Sequence, residues 1–187
     1  MTKVFIAGSR RLSKLSKDVK RRIDNIVDKG LTVIIGDANG VDKTVQKYLS
    51  AKRYSNVVVF CMEGGCRNNI ARWPTRVIGA ADPGRKDFAY FATKDRAMAE
   101  EADYGLMLWD GQSRGTLTSI VDLVRKEKQV VVYISTDKNF YTLRQSGDLA
   151  TMLRRVDPAA LQRIDHDLQL SETTGASSRK SDSVSLF

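Results

Sequence analysis

The sequence has few cysteines and one histidine, and these shortages exclude several kinds of site. Two cysteines in 187 residues are too few for a disulfide scaffold, and no paired set of cysteines and histidines accompanies them to form a zinc site. We therefore predict that Cys61 and Cys66 are free thiols. The single histidine, His166, stands in a polar stretch and provides no material for a histidine-based triad, so we expect no metal site.

Long apolar runs are also missing. No stretch approaches the roughly 18 to 20 apolar residues that cross a bilayer, and the start MTKVFIAGSRR has no apolar signal core. We expect a cytoplasmic protein with no membrane partner. With 187 residues, 13 glycines and 3 prolines, the chain has the size and composition of one globular domain with an appendage.

Acidic residues are outnumbered, most of all at the start of the chain. There are 31 lysines and arginines against 22 aspartates and glutamates, a net charge of +9. The excess is concentrated in residues 1–22, where Asp18 is the single acid. The basic residues of that segment are Lys3, Arg10, Arg11, Lys14, Lys17, Lys20, Arg21 and Arg22. This balance favours an anionic partner, either a nucleotide or a nucleic acid.

Short apolar runs predict the fold. They cover residues 4–7, 31–35, 57–60, 106–109 and 130–134, and they are continuous rather than alternating, as in strands buried on both faces. Segments with helical apolar spacing lie between them. The pattern predicts an α/β protein with a Rossmann-like, doubly wound parallel sheet of about five strands and helices on both faces.

The segments outside these runs are predicted from their composition. The interval 62–86 is rich in glycine, proline and arginine, and we interpret it as a lid or binding loop, with an ordinary solvated loop as the alternative. A short extended piece is predicted at 139–143, and short helices at 146–155 and 158–168.

These predictions divide the chain into three parts. We expect a Rossmann-like domain at 1–135, a short helical C-terminal extension packed on it at 136–170, and a flexible serine-rich tail at 171–187.

Glycine-rich loops follow three of the predicted strands. In an open α/β sheet, ligands bind beyond the carboxyl ends of the strands. Small residues admit a ligand, amides at a helix start favour an anion, and guanidinium groups match phosphate. The candidate ligand-binding residues are Gly8, Ser9 and Arg10 after the first strand, Gly36, Asp37, Gly40 and Asp42 after the second, and Gly111, Ser113, Arg114, Gly115 and Thr116 after the fourth. For Asp42, stabilisation of the helix start is the alternative to binding a sugar hydroxyl.

Two common phosphate motifs are absent. The chain has no G-x-x-x-x-G-K-[ST] sequence and no G-x-G-x-x-G after the first strand. This disfavours ATP hydrolysis by a P-loop and ordinary dinucleotide dehydrogenase chemistry. We accordingly expect no cofactor.

The loop motifs, taken in order, carry a family resemblance. With IAGSR at 6–10, GDANGVDK at 36–43 and SRGT at 113–116, the chain resembles the SLOG superfamily, particularly its small bacterial YspA-like members, over residues 2–135. It is also similar to nucleoside 2-deoxyribosyltransferases and to LOG phosphoribohydrolases. The resemblance implies a nucleotide or nucleotide-derived small molecule as ligand. It also implies a homodimer or higher homo-oligomer.

The resemblance further implies where catalysis would take place. Asp95 corresponds to a base-contacting aspartate of the deoxyribosyltransferases, and Asp110 stands at a similar spacing from it, so these two are the candidate catalytic residues. Ser119 is a further candidate ligand contact, standing where those enzymes have a catalytic glutamate. A serine without a histidine partner is a poor nucleophile. This departure shifts our expectation from catalysis towards binding.

Three functions follow from these observations. The leading interpretation is a protein that binds a nucleotide or nucleotide-derived ligand, as a sensor or in nucleotide processing. The first alternative is an N-glycosidase or a 2-deoxyribosyltransferase-like enzyme. The second is a nucleic-acid-binding protein, because the SLOG superfamily also resembles the DNA-processing DprA fold and the chain is basic. In that case Trp73, Tyr90 and Phe91 are the candidate base-stacking side chains.

Overall fold

The computed structural model describes residues 1–79 and 87–162. No helix in this part of the chain is long and apolar enough to cross a membrane. In chain order the elements are β1 (Lys3–Gly8), α1 (Lys17–Asp28), β2 (Thr32–Ile35), α2 (Val41–Ala51), β3 (Val57–Met62), β4 (Thr75–Ile78), α3 (Phe88–Glu101), β5 (Tyr104–Trp109), α4 (Arg114–Arg125), β6 (Gln129–Ile134), β7 (Asn139–Leu143) and α5 (Ser146–Leu153).

The strands form one sheet that is parallel except at one edge. Their order is β4-β3-β2-β1-β5-β6-β7, and β7 pairs antiparallel with β6. Successive strands run from β1 to one edge and then from β5 to the other, so the order reverses between β1 and β5. The register of this central pair places Gly8 beside Leu108. In open α/β sheets the ligand crevice lies at the carboxyl ends of the strands, at such a reversal.

Helices cover both faces of the sheet. Helices α1 and α2 pack on one face through residues such as Ile23 and Val45. Helices α3, α4 and α5 pack on the other, for example through Ile120. Neighbouring residues of a strand enter opposite layers: Phe5 and Ile6 are both fully buried, one on each face. The predicted Rossmann-like, doubly wound sheet is therefore confirmed.

Within residues 1–79 and 87–162 the sheet has seven strands, where the apolar runs predict about five. Strand β7 coincides with the extended piece predicted at 139–143. Strand β4 lies inside the interval 62–86, so the interpretation of that whole interval as a loop is wrong, while its role as a lid or binding segment stays a prediction. The reason is that β4 is an edge strand whose Thr75, Arg76 and Val77 are exposed. A strand without a second covered face needs no continuous apolar run.

The prediction of free thiols is also wrong. The structure pairs Cys61 and Cys66 in a disulfide, with their Cα atoms 5.0 Å apart. Cys61 belongs to β3, and the chain then turns through Gly64 and Gly65, whose φ angles are 95° and 103°. This turn returns the chain to the end of the strand. A low cysteine count argues against a disulfide scaffold, but it does not exclude one bridge across a tight turn.

The chain after β7 continues to pack on the sheet. Helix α5 places Leu149 and Met152 in the same apolar layer as α4. Residues 158–162 are helical as predicted. The rest of that second predicted helix, with His166 and the tail 171–187, lies outside the described residues. The division of the chain into domain, extension and tail stays a prediction.

Candidate functional site

A cleft of about 680 Å³ opens where β1 and β5 end. The loops after β1, β2 and β5 form its walls together with the first turns of α3 and α4. The predicted site residues that line it are Gly8, Arg10, Asp42, Asp95, Asp110, Ser113, Arg114, Gly115, Thr116 and Ser119. The three loops therefore meet at one cleft on the expected edge of the sheet, and the ligand-binding roles of their residues stay predictions.

The remaining predicted residues do not line the cleft. They are Ser9, Gly36, Asp37, Gly40 and Gly111. Gly40 has a φ of 83°, and a Cβ there would lie 2.3 Å from the carbonyl oxygen of Arg10. The loop after β2 thus packs against the backbone of the loop after β1 at a position that requires glycine. Ser9 and Asp37 are buried. Each is hydrogen-bonded to a residue that lines the cleft, Ser9 to Asp110 and Asp37 to Arg67.

Ser9 and Asp110 join the two central loops. The Ser9 hydroxyl donates to Oδ1 of Asp110 at 2.9 Å and accepts the Asp110 backbone N–H at 3.0 Å. The same Oδ1 accepts the backbone N–H groups of Gln112 and Ser113 at 3.0 and 2.8 Å. This carboxylate therefore shapes the turn between β5 and α4. Its proposed catalytic role stays a prediction.

Helix α4 begins at the cleft with hydroxyl side chains in its first turns. Ser113 caps the helix and accepts the backbone N–H of Thr116 at 3.4 Å. The Thr116 hydroxyl donates to Oγ of Ser113 at 3.0 Å. Ser119, one turn further, donates its hydroxyl to the carbonyl oxygen of Gly115 at 3.2 Å. The start of a helix favours an anion through its unpaired amides and its dipole.

A cluster of charged side chains lies at and beneath the floor of the cleft, and its buried members are Lys94, Asp37 and Asp42. Nζ of Lys94 lies 3.5 Å from Oδ1 of Asp37 and 3.4 Å from Oδ1 of Asp95, and the Lys94 side chain is 3% exposed. A Cβ on Gly36 would lie 2.5 Å from both Nζ of Lys94 and Oδ2 of Asp42. The ammonium group and the Asp42 carboxylate therefore occupy the space that a larger residue at position 36 would fill.

The cluster shifts the pKa values of two carboxyl groups in opposite directions. Burial raises the pKa of Asp42 to about 6, although the charge of Lys94 opposes the shift. Burial also acts on Asp37, but the hydrogen bonds from Arg67, together with the charges of Lys94 and Arg67, outweigh it and hold the pKa of Asp37 below its ordinary value. Arg67 donates its Nη2, backbone N–H and Nε to this carboxylate at 2.7, 3.0 and 3.1 Å. The Asp37 carboxylate thus stays charged over a wider pH range than an ordinary aspartate, whereas a pKa of about 6 places the titration of Asp42 at weakly acidic pH.

Two aromatic rings on α3 meet arginines from three other segments. Phe88 and Phe91 are one helical turn apart, and both line the cleft. The guanidinium carbon of Arg114 lies 4.1 Å from the centre of the Phe88 ring. Those of Arg67 and Arg10 lie 4.8 and 5.7 Å from the centre of the Phe91 ring. These separations permit cation–π attraction, and the Phe88 side chain remains 40% exposed.

Sequence reasoning missed Phe88 and Lys94. Both belong to α3, where an apolar ring and a lysine are ordinary helix residues. A signal for Phe88 is present in the sequence. Phe88, Phe91 and Asp95 are spaced three and four residues apart, so the two rings lie on the same face of α3 as Asp95, which is a predicted site residue. Two aromatic side chains considered for stacking do not line the cleft: Trp73 and Tyr90 are each 7% exposed.

Solved structures of DNA-processing proteins share this fold. DNA processing protein A from Helicobacter pylori, solved to describe its single-stranded DNA binding mode, matches with a TM-score of 0.54 and 15% identity over 90% of this chain and 80% of that chain. DprA from Streptococcus pneumoniae matches with a TM-score of 0.55 and 13% identity over 87% of this chain. The match spans 61% of that second protein. No family model and no curated protein matches. The similarity establishes a common Rossmann-like fold, and SLOG membership stays a prediction.

Proposed function

We propose that the cleft binds single-stranded nucleic acid, with a base against Phe88 and backbone phosphates on the surrounding arginines. The observation that carries the proposal is the grouping of Phe88 and Phe91 with Arg10, Arg67 and Arg114 in one cleft. Proteins bind single strands by stacking bases on aromatic rings or guanidinium planes and by placing cations along the backbone. The cleft offers both kinds of contact.

Two further observations support a polynucleotide over a free nucleotide. The Helicobacter pylori protein with the same fold binds single-stranded DNA. The net charge of +9 also exceeds what one nucleotide would need, and it suits a polyanion whose binding releases counterions.

A nucleotide or nucleotide-derived small molecule is the second candidate, and the dimensions of the cleft favour it. A volume of about 680 Å³ falls within the roughly 300–1,000 Å³ that is typical of small-molecule sites. The start of α4 offers an anion site for a phosphate. The SLOG resemblance and the N-glycosidase alternative belong to this candidate, with Asp95 and Ser119 lining the cleft.

Fluorescence anisotropy with a labelled oligothymidylate of about 15 nucleotides tests the first candidate. Phe88→Ala should weaken binding by about 5- to 150-fold, because the loss of one base stack costs about 1–3 kcal/mol. Tyr104→Ala is the matched control. Tyr104 is an aromatic residue that is 46% exposed, and it is the first residue of β5, so it lies at the amino ends of the parallel strands, away from the cleft at their carboxyl ends. The affinity of this variant should equal that of the parent protein.

Competition separates the two candidates. The labelled oligonucleotide is competed with a mononucleotide and, separately, with an unlabelled single strand. Equal displacement by the two competitors would support the second candidate instead. Equal affinities of Phe88→Ala and Tyr104→Ala would contradict the placement of the base. Release of free base during incubation, abolished by Asp95→Asn, would establish the glycosidase alternative.

A further inference from the structure

We propose that the bound strand leaves the cleft along a basic strip formed by Arg10, Arg11, Lys14, Lys17 and Arg21. The inference rests on the proposed function, because the strip extends the site in the cleft. All five side chains are exposed. Three of them lie in the loop between β1 and α1, and the other two lie in the first half of α1. The ligand is therefore a strand of several nucleotides and not a single nucleotide.

Within its own segment of the chain, the strip contains little acidic charge. Between residues 9 and 22 the one acid is Asp18. It pairs with Arg21, with Oδ1 and Nη1 3.5 Å apart, and the two side chains are 61% and 74% exposed. A pair this exposed to water is weak and easily screened by salt. Lys20, also exposed and one helical turn from Lys17, adds positive charge beside the strip. The surface is thus suited to a row of phosphates.

The strip is continuous with the cleft. Arg10 and Arg11 line the cleft, and Nη1 of Arg11 donates to Oε1 of Gln112 at 3.3 Å, from the loop after β5. Because α1 follows β1, the helix begins at the carboxyl edge of the sheet, where the cleft opens. In the proposed path the strand passes Arg10 and then follows the chain past Lys14 to Lys17 at the start of the helix.

The cations of the strip oppose the stability of α1. A helix prefers acidic side chains in its first turn and basic ones in its last turn, because of its dipole. Asp18 follows this preference, but Lys17 is the first residue of α1, and the last turn has no basic residue. Lysine and arginine at positions 17, 20 and 21 also repel each other across one turn. Residues that break a local rule of stability are expected at functional surfaces.

The test compares two double variants that remove the same charge. Lys17→Gln with Arg21→Gln neutralises part of the strip. Lys29→Gln with Arg53→Gln neutralises two exposed residues just after the carboxyl ends of α1 and α2, at the opposite edge of the sheet. Anisotropy across a salt series gives the affinity of each for an oligothymidylate of about 15 nucleotides and for a trinucleotide.

The strip variant should bind the long strand more weakly, and its slope of log K against log salt should be smaller by about 1.4, since each lost single-strand contact contributes about 0.7. Its affinity for the trinucleotide should not change, and the control variant should keep the parent slope for both ligands. The proposal of a basic strip would be overturned if the two double variants had equal slopes of log K against log salt. It would also be overturned if the strip variant lost equal affinity for the long strand and for the trinucleotide.

The same measurements separate this inference from the proposed function. If Phe88→Ala weakens both ligands while the strip variant weakens neither, the cleft binds nucleic acid and the strip is overturned alone. If Phe88→Ala weakens neither ligand, the cleft is not the binding site and both proposals are overturned. Circular dichroism of each variant checks that the fold is intact.

Discussion

Lys94 and Asp37 form a buried ion pair under the cleft, with Nζ and Oδ1 3.5 Å apart and both side chains 3% exposed. Lysine and aspartate are almost never buried this completely without a partner. Lys94 comes from α3, which also carries Phe88 and Phe91, and Asp37 comes from the loop after β2. The pair therefore ties the aromatic helix to a loop of the cleft through charge.

Removal of Lys94 should be costly. Lys94→Met removes the cation that Asp37 and Asp42 share, while Asp37 keeps its hydrogen bonds from Arg67, so we expect the free energy of unfolding to fall by about 2–4 kcal/mol, less than for a buried charge left without any partner. Urea denaturation measures this loss. Lys126→Met, which removes an ion pair with Glu100 at the surface, should cost less than about 1 kcal/mol. Equal losses in the two variants would show that the Lys94 pair does not hold the cleft floor.

Asp42 should make the protein less stable as pH rises through weakly acidic values. Burial raises the pKa of Asp42 from 3.8 to about 6, so the folded protein binds this proton more tightly than the unfolded chain. Between about pH 4 and pH 6 the contribution of Asp42 to the free energy of unfolding should therefore fall, by about 3 kcal/mol in total. The lowered pKa of Asp37 acts in the opposite sense, below about pH 4, where its stabilising contribution is lost as the carboxylate is protonated.

Asp42→Asn isolates this effect. The asparagine cannot ionise, so the variant should lose less stability than the parent between about pH 4.5 and pH 7. Asp28→Asn removes an exposed carboxyl group and serves as the control, with the parent pH profile. Urea denaturation at the two pH values gives the comparison. An Asp42→Asn profile that parallels the parent profile would rule out a raised pKa at Asp42.

A charge reversal at Lys17 should separate stability from binding. Lys17→Glu places an acid at the first residue of α1, so we expect the free energy of unfolding to rise by about 0.3–1 kcal/mol. The same change should weaken binding of the long oligonucleotide. Lys29→Glu, at the carboxyl end of α1, should lower stability without affecting binding. Thermal denaturation and anisotropy check both outcomes, and a Lys17→Glu variant that is less stable than the parent would refute the argument from the helix dipole.

The disulfide should stabilise the segment that leads to Arg67. Closing a loop between cysteines five positions apart contributes about 2 kcal/mol in the chain-entropy description. Dithiothreitol should therefore lower the free energy of unfolding by that amount in the parent, and it should have no effect on Cys66→Ser. Thiol titration provides a direct check. Two reactive thiols in the denatured, unreduced protein would support the free thiols that the cysteine count predicts.

The sequence predicts the central strands well because their burial is visible in it. Strands such as β1 and β6 are covered on both faces, and this burial demands continuous apolar residues. The edge strand β4 is not covered on both faces, so its sequence needs no continuous apolar run, and the polar residues around Arg76 predict a loop instead. The Cys61–Cys66 bridge depends on a turn geometry that cysteine counting ignores.

The site is predicted in part for a similar reason. Glycines and hydroxyl residues that follow strands are local signals, and they mark the loops that meet at the cleft. Lys94 and Phe88 lie on a helix, where the same residues would suit a solvated face or an apolar core. Their positions in the site depend on how α3 packs against β1 and β3, which is a long-range property of the fold.

The claim that the cleft holds a single-stranded nucleic acid is tested most directly by photo-crosslinking. An oligothymidylate that carries a photoreactive thio-base is irradiated in complex with the protein, and mass spectrometry identifies the attached peptide. We predict attachment to the peptide that contains Phe88 and Phe91, lost in Phe88→Ala and retained in Tyr104→Ala. Attachment confined to other surfaces, such as the surroundings of Tyr104, would contradict the account.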